Sequence, residues 1–326
     1  MSDEVNKTSK PQRTRRQHWL PQASYLQYFA VEGKVTAYLF QDGSKADFLK
    51  TSKKIKVAPD NIAHQRDLYE TPDLPDNALE DAFAEIENAY GQVLENKILK
   101  KKPLTKIDHE VVALYVSVLE NRTPAQRNHL NNFISRLEAT GRNLSMAHNS
   151  LQAADDWSIK MAATRERFFA QWLAAALDVN KWGVLDFCFL EMSSYMKDDV
   201  SFITCDQPVT LVDYANDNSP YGLNQWSKTA ECVVPLTSRI ALFGNNCGIK
   251  GYREVDYNFV REVNHRVLAR AQSMVISAGD VAEYEAGAIV RRTPQSLLLK
   301  FARLPKGQTD RIIEQSKKAE ANKSQS

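Results

Sequence analysis

Apolar positions recur mostly at helical spacing between residues 76 and 178, and in short strand-like runs after Trp182. A β-rich run, Lys34 to Phe40, comes first and ends in Gln41-Asp42-Gly43-Ser44, a turn signal. The Lys-rich stretch Lys45 to Lys56 closes that small N-terminal β region. Ala78, Phe83, Ala84, Ile86, Tyr90 and Val93 then share one face of a helix that Asp76 or Asn77 can cap and that runs to about Leu99. Lys100 to Pro103 breaks it, and Asp108 to Glu120 is a second helix. Thr123-Pro124, an N-cap followed by proline at the first helical position, starts a third that reaches about Thr140. A long helical stretch follows from about Leu144 to Leu177.

Beyond Trp182 the runs Gly183 to Phe189, Val200 to Thr204, Pro208 to Val212, Cys232 to Leu236 and Ile240 to Phe243 read as strands, with Asn- and Gly-rich loops at Asn216 to Gly222 and Gly244 to Gly251. Asp256 caps a helix drawn to about Ser277, on the spacing of Val260, Val263, Val267, Ala271 and Met274. A final short strand and helix complete the order. This succession predicts an α+β fold rather than alternating α/β: a bundle-like helical part (about 76–178) packed on a mainly antiparallel sheet (about 182–243), with a small N-terminal β segment. The expected organisation is a flexible basic arm (1–16), one α+β domain (17–305, its sheet part 182–285) and a polar C-terminal tail (306–326).

Composition narrows the class little. The chain has 326 residues, 43% hydrophobic and 25% charged, which excludes fibrous and disordered classes for most of its length. With 42 basic against 40 acidic residues, a nucleic acid or acidic membrane would have to be met by a local patch such as Arg13 to Arg16, Lys50 to Lys56 or Lys100 to Lys102. The longest apolar stretches, Phe168 to Val179 and Trp182 to Met192, fall short of the ~18 residues of a membrane-spanning helix. Met1 to Gln17 has no apolar core of a secretory signal. Cys188, Cys205, Cys232 and Cys247 form no CxxC pair and read as reduced thiols, mostly in strands, so the expected compartment is the cytoplasm. Dinucleotide-binding, P-loop, zinc-protease, α/β-hydrolase and kinase signatures are all missing, and the six histidines show no zinc spacing.

Three segments stand out together: Gln17-His18-Trp19-Leu20-Pro21 running to Phe29, Phe202-Ile203-Thr204-Cys205-Asp206-Gln207-Pro208-Val209, and Val234-Pro235-Leu236-Thr237. In that order, with Arg122-Thr123-Pro124, a glutamate-bearing helix over Glu80 to Leu94 and Asn264 on a late helix, they resemble the bacterial domain of unknown function 4238. Cys205, Gln207 and Thr237 stand where that family usually has serine, asparagine and serine. The resemblance implies a bacterial or phage-borne intracellular protein, often found near mobile elements. It locates a site without implying an activity.

Each candidate admits two readings. His18 is an imidazole able to act as acid, base or metal ligand, or a tie anchoring the first turn through a backbone hydrogen bond. Asp206 is a ligand at a strand end, or a carboxylate gathering backbone amides at a corner. Glu80 and Glu87, seven residues apart on one helix face, are a carboxylate pair, with Asn77-x-x-Glu80 readable as a capping box and Glu87 as part of a solvated face. Arg122 clamps an anion or pairs with an acidic neighbour. Asn264 ties a loop or joins a polar site, with His265 facing solvent beside Arg261.

The enzyme reading brings His18, Glu87, Arg122 and Asp206 into one cleft for phosphodiester hydrolysis. Glu87 and Asp206 hold Mg²⁺ or Mn²⁺, His18 moves the proton, Arg122 stabilises developing charge, and Arg16, Gln17, Thr204 and Asn264 bind DNA or RNA. The rival is a non-catalytic module that binds nucleic acid or a protein partner. Its motif residues are structural, and Gln17 to Phe29 is a strap docked through Trp19, Tyr25, Tyr28 and Phe29.

Overall fold

The structure, a computed structural model, describes residues 14–40, 52–70, 74–148, 150–177, 182–196, 200–213, 225–281 and 296–297. The arm up to residue 13, the turn at Asp42-Gly43, the Asn216 to Gly222 loop and the 306–326 tail lie outside the described residues, as does nearly all of the final strand and helix.

Eleven strands and five α-helices are seen among the described residues. The chain enters through β1 (Arg16–His18), a short 3₁₀ turn (Leu26–Phe29), β2 (Val35–Leu39), β3 (Lys53–Val57) and β4 (His64–Arg66). The helical part is α1 (Ala78–Val93), α2 (Lys106–Asn121), α3 (Pro124–Ala147) and α4 (Leu151–Leu177). Then come β5 (Asp186–Met192), β6 (Thr204–Cys205), β7 (Thr210–Asp213), β8 (Ala230–Pro235), β9 (Ile240–Asn245), β10 (Gly251–Val255), α5 (Tyr257–Arg270) and β11 (Met274–Ser277). The architecture is α+β as expected, with the helical part packed on sheets.

Two larger sheets carry it. The five-stranded sheet, in order β10–β5–β9–β8–β7, is antiparallel except for the parallel pair β10–β5. The four-stranded sheet, β3–β2–β11–β6, is antiparallel throughout and joins the start of the chain to its last described strand. Strand alternation decides which side chains face which layer. In β5, Phe187 and Phe189 face the helices, joining Val112, Tyr115, Val116 and Leu119 of α2 in the largest core cluster. Their neighbours Cys188 and Leu190 point to the other face, against Phe259, Val260 and Val263 of α5. The far half of α5 carries Val267 and Leu268 onto Val275, Tyr38 and Cys205 of the four-stranded sheet. One helix therefore clamps both sheets.

Several boundaries differ from the sequence reading. The late helix stops at Arg270, where Ala271 turns extended (φ −52°, ψ 140°), and Met274 to Ser277 form a strand. A β-branched run paired on both sides overrode the helical spacing. The Gly244 to Gly251 loop leads into β10, a strand not foreseen. The third helix runs on to Ala147, past Thr140. The Asn77–Glu80 capping box is absent: Asn77 sits in the left-handed region (φ 66°) and its side chain accepts instead from the Thr14 amide, 2.8 Å. A capping box does form one helix later, where Thr105 and Asp108 satisfy each other's backbone amides. Thr123 caps α3 with Pro124 at its first position, as read. His265, expected in solvent, is buried. Cys188, Cys205 and Cys232 are buried in strands without forming disulfides, and Cys247 is exposed. Among the described residues no helix is long and apolar enough to cross a membrane.

Candidate functional site

The Gln17 to Phe29 segment crosses the helical part as a strap, and apolar burial holds it. Leu20, Tyr25, Leu26 and Phe29 are fully buried in the largest core cluster, with Trp19 and Tyr28 packed at its edge. Its first residues pair with β4, placing His18 opposite His64 and Gln17 opposite Gln65.

Beneath the strap lies Arg122, at the C-terminal end of α2, with its side chain only 2% exposed. Its three nitrogens are all engaged: Nε donates to the Trp19 carbonyl (3.0 Å), Nη2 to the His18 carbonyl (2.6 Å) and Nη1 to Glu87 Oε1 (2.6 Å). The guanidinium also lies 5.3 Å from the centre of the Phe83 ring. Burial opposes the arginine's charge, but Tyr69, Glu87 and Glu80 more than restore it and raise its pKa. The Tyr69 hydroxyl donates to the His18 and Arg122 carbonyls, both at 3.1 Å. Gln17, wholly buried, accepts from the Tyr69 amide (2.7 Å) and donates to Glu70 (2.8 Å). Glu87 also receives the Ser24 hydroxyl at 3.4 Å. Arg122 is thus a fastener for strap carbonyls, and Glu87 is its counter-charge.

Glu80, two turns before Glu87 on the same face of α1, is the less settled carboxylate. Its Oε2 is buried without a hydrogen-bond partner. Burial, with Glu87, Asp81 and Glu70 adding to it against the opposing Arg122 charge, pushes its pKa up to about 7.

Above the strap the groups meet solvent. Arg16 Nη2 donates to Asn61 Oδ1 (2.9 Å), to His64 Nε2 (2.8 Å) and to the Asp60 carbonyl. The His18 and His64 rings stand edge to face with centroids 5.3 Å apart. His18 Nε2 lies 3.2 Å from the Asp60 carbonyl and 2.8 Å from the Gln22 amide nitrogen. Burial lowers the His18 pKa, with Arg16, Arg122 and His64 adding to that and the Asp60 carbonyl opposing it. Burial and Arg16 likewise lower that of His64, against Asp60. Both imidazoles are therefore neutral at pH 7.

The remaining candidates lie at a different corner, where β6 meets β11. Asp206 Oδ1 accepts from the Gln272 amide (2.9 Å), and Oδ2 from the Ser273 amide (2.8 Å) and hydroxyl (2.7 Å). Asn264 bridges the Ile203 amide (3.0 Å) and the Ser201 carbonyl (2.8 Å). Thr204 meets the Tyr25 hydroxyl at 2.7 Å and so links this corner to the strap. Arg16, Gln17, His18, Glu87 and Arg122 come together. Asp206 and Asn264 belong to the second group, and no hydrogen bond or ion pair joins Asp206 to Glu87. The pair does not fit a shared Mg²⁺ or Mn²⁺, because both Asp206 oxygens are committed to amides and Glu87 to Arg122. Among the described residues no group of three His, Cys, Asp or Glu is placed to hold a metal ion.

Sequence reasoning missed His64, Tyr69 and Glu70, which reach the site only because β4 pairs with β1. The unbroken polar run His64-Gln65-Arg66 carries no alternation that would mark it as a strand.

A family model described as a protein of unknown function (DUF4238) matches residues 16–280. No curated protein and no solved structure matches the chain.

Proposed function

The chain belongs to the domain of unknown function 4238 family, a membership that fixes no chemistry, and we propose that it is a nuclease-like phosphodiester hydrolase reacting at the Arg16–His18–His64 surface. The observation behind this reading is the convergence of two neutral imidazoles, 5.3 Å apart, beside one exposed guanidinium. A neutral imidazole is a competent base at pH 7, and a guanidinium suits the non-bridging oxygens of a phosphodiester. His18 takes the proton of the attacking hydroxyl or water, a solvent water gives the leaving oxygen its proton, and Arg16, held by His64 Nε2, binds the phosphate. Arg122 and Glu87 act from below by fixing the backbone at His18. Three buried cysteines that form no disulfide suit a reducing cytoplasm, where the protein would act as a bacterial effector or toxin on DNA or RNA.

The test is a cleavage panel of single- and double-stranded DNA and RNA with Mg²⁺, Mn²⁺ or EDTA, run with His18→Ala, His64→Ala and Arg16→Ala. Cleavage that survives EDTA and falls at least about a hundredfold in the histidine variants is expected. The rate should rise with pH through a midpoint below 6.5, because the lowered histidine pKa keeps the base form present above it. No turnover on any substrate would sink this reading.

A second reading has its own support. Gln17, Arg122, Asp206 and Asn264 each reach backbone atoms, as expected of a binding module, for nucleic acid or a protein partner, whose motif residues are structural. In that case His18→Ala and Asp206→Ala lower the melting temperature and no cleavage is found.

A further inference from the structure

The pairing of β1 with β4 sets Arg16 opposite Arg66 and His18 opposite His64, with Gln17 opposite Gln65 between them. Strand alternation divides this short ribbon into two faces. Gln17 points inward, wholly buried on the Tyr69 amide and Glu70. Arg16, His18, His64 and Arg66 therefore share the outward face. Two arginines directly opposite each other on one face destabilise the pairing. Little within the ribbon offsets that repulsion. Arg16 spends Nη2 on carbonyl, amide and imidazole acceptors, and Arg66 reaches Asp67, Nε to Oδ2 at 3.3 Å, with 69% of its side chain still exposed. An ion pair that open holds weakly. Opposed guanidiniums suit a ligand with successive anionic groups, such as a nucleic-acid backbone.

The reacting groups narrow the kind of nucleic acid. Mg²⁺ and Mn²⁺ take hard oxygen ligands, carboxylates above all. Glu87 is committed to Arg122 and Asp206 to backbone amides, while the outward ribbon face presents imidazole and guanidinium. That set serves a nucleophile which the substrate itself supplies. RNA carries a hydroxyl beside each 3′-phosphate and DNA does not. Its attack is intramolecular, and well-aligned intramolecular reactions reach effective molarities of roughly 10⁵ M or more. An A-form duplex holds this 2′-oxygen out of line with the bond to be broken, so the reacting strand must be unpaired.

Resting on the nuclease reading of this surface, we infer that the substrate is single-stranded RNA, that its own 2′-hydroxyl is the nucleophile His18 deprotonates, and that Arg66 holds the phosphate next to the one bound by Arg16. His18 takes the 2′-hydroxyl proton as the O2′–P bond forms and the P–O5′ bond breaks. The leaving O5′ takes a proton from water, and protonated His18 neutralises the hydroxide left behind. The products are a 2′,3′-cyclic phosphate and a free 5′-hydroxyl.

The test compares one sequence as RNA, as fully 2′-O-methylated RNA and as DNA, all single-stranded and in EDTA, with the first product ends read by mass spectrometry. It needs no variant, so folding does not enter. Expected are cleavage of the RNA alone, at least about a hundredfold faster than either analogue, and a cyclic end one water lighter than a linear phosphate. Comparable cleavage of DNA or of methylated RNA, or linear phosphate at the first turnover, overturns this inference and leaves the nuclease reading standing. No cleavage of any strand sinks both. Arg66→Ala, an exposed position whose melting temperature should hold, is expected to raise KM for an RNA trinucleotide at least about tenfold with kcat kept, the split of a group that binds away from the reacting phosphate. A kcat that falls with KM unchanged overturns the place given to Arg66.

Discussion

Arg122 and Arg266 are both almost wholly buried, with side chains 2% and 1% exposed, but they secure opposite ends of the chain and stand in different electrostatic surroundings. Arg122 faces Glu87, whose side chain keeps 21% of its surface, and spends its other donors on carbonyls of the N-terminal strap. Arg266, on α5, meets Glu231 of β8 at 2.6 Å and Glu262 at 3.6 Å; Glu231 is 0% and Glu262 3% exposed. Glu231 also accepts from the Leu297 amide at 3.0 Å and from the Ser296 hydroxyl, which fastens those two late residues to the five-stranded sheet. A charge with a route to water can be relaxed when its partner is lost. One without such a route cannot, and that difference sets the order of the effects below.

The largest expected loss follows Arg266→Met, which leaves Glu231 buried without its cation. Removing one member of such a pair costs about 3 to 5 kcal/mol, far more than the intact pair contributes. Urea unfolding should show it as a midpoint shift at unchanged slope. The same substitution at Arg122 should cost less, about 2 to 3 kcal/mol. There Glu87 can rotate toward solvent and methionine keeps the contact with Phe83, so the loss falls on two strap carbonyls left without donors. Hydrogen exchange should then speed up across residues 17–29 in the Arg122 variant alone. Equal losses at the two arginines would remove the distinction between them.

How much of this was legible in the sequence depends on how local each signal is. The strap declared itself through four aromatics in eleven residues, and the α3 start through Thr123-Pro124, because a cap and a proline act on their own turn. The Glu87–Arg122 pairing was legible only as one of two readings of Arg122, since choosing it required knowing that α1 and α2 lie side by side. The Glu231–Arg266–Glu262 group was missed altogether. Glu231 sits in a strand whose pattern reads as plain β, and its partner comes from another layer 35 residues later. β10 and β11 failed for a related reason: their identity comes from neighbouring strands rather than from their own spacing. Local chemistry was readable; tertiary pairing was not.

A smaller effect separates the strap from the second corner. Asp206→Asn keeps the shape but gives up a charged acceptor for two amides and a hydroxyl, one of which then faces an NH₂ group. A loss of about 1 to 2 kcal/mol is expected, seen in denaturant unfolding, without the faster strap exchange that marks the Arg122 variant.

The smallest effect has the opposite sign and depends on pH. Glu80 holds its proton up to about pH 7 in the folded protein, against an ordinary carboxylate value near 4.5, chiefly because burial disfavours its charged form. Between those two values the folded state binds the proton and the unfolded state does not, so raising the pH through this window lowers stability. The contribution is fully present below pH 4.5 and is lost above pH 7, the reverse of a salt-bridged carboxylate. Glu80→Gln keeps a neutral side chain at every pH. It should therefore leave stability nearly unchanged at pH 5 and raise it at pH 8, by about 1 kcal/mol once partial exposure screens the full shift. Melting curves of the two proteins across that range should converge on the acid side and separate on the basic side. Parallel curves would mean that Glu80 finds a counter-charge in the folded protein, and that the strap site, like the Glu231 site, has every carboxylate matched.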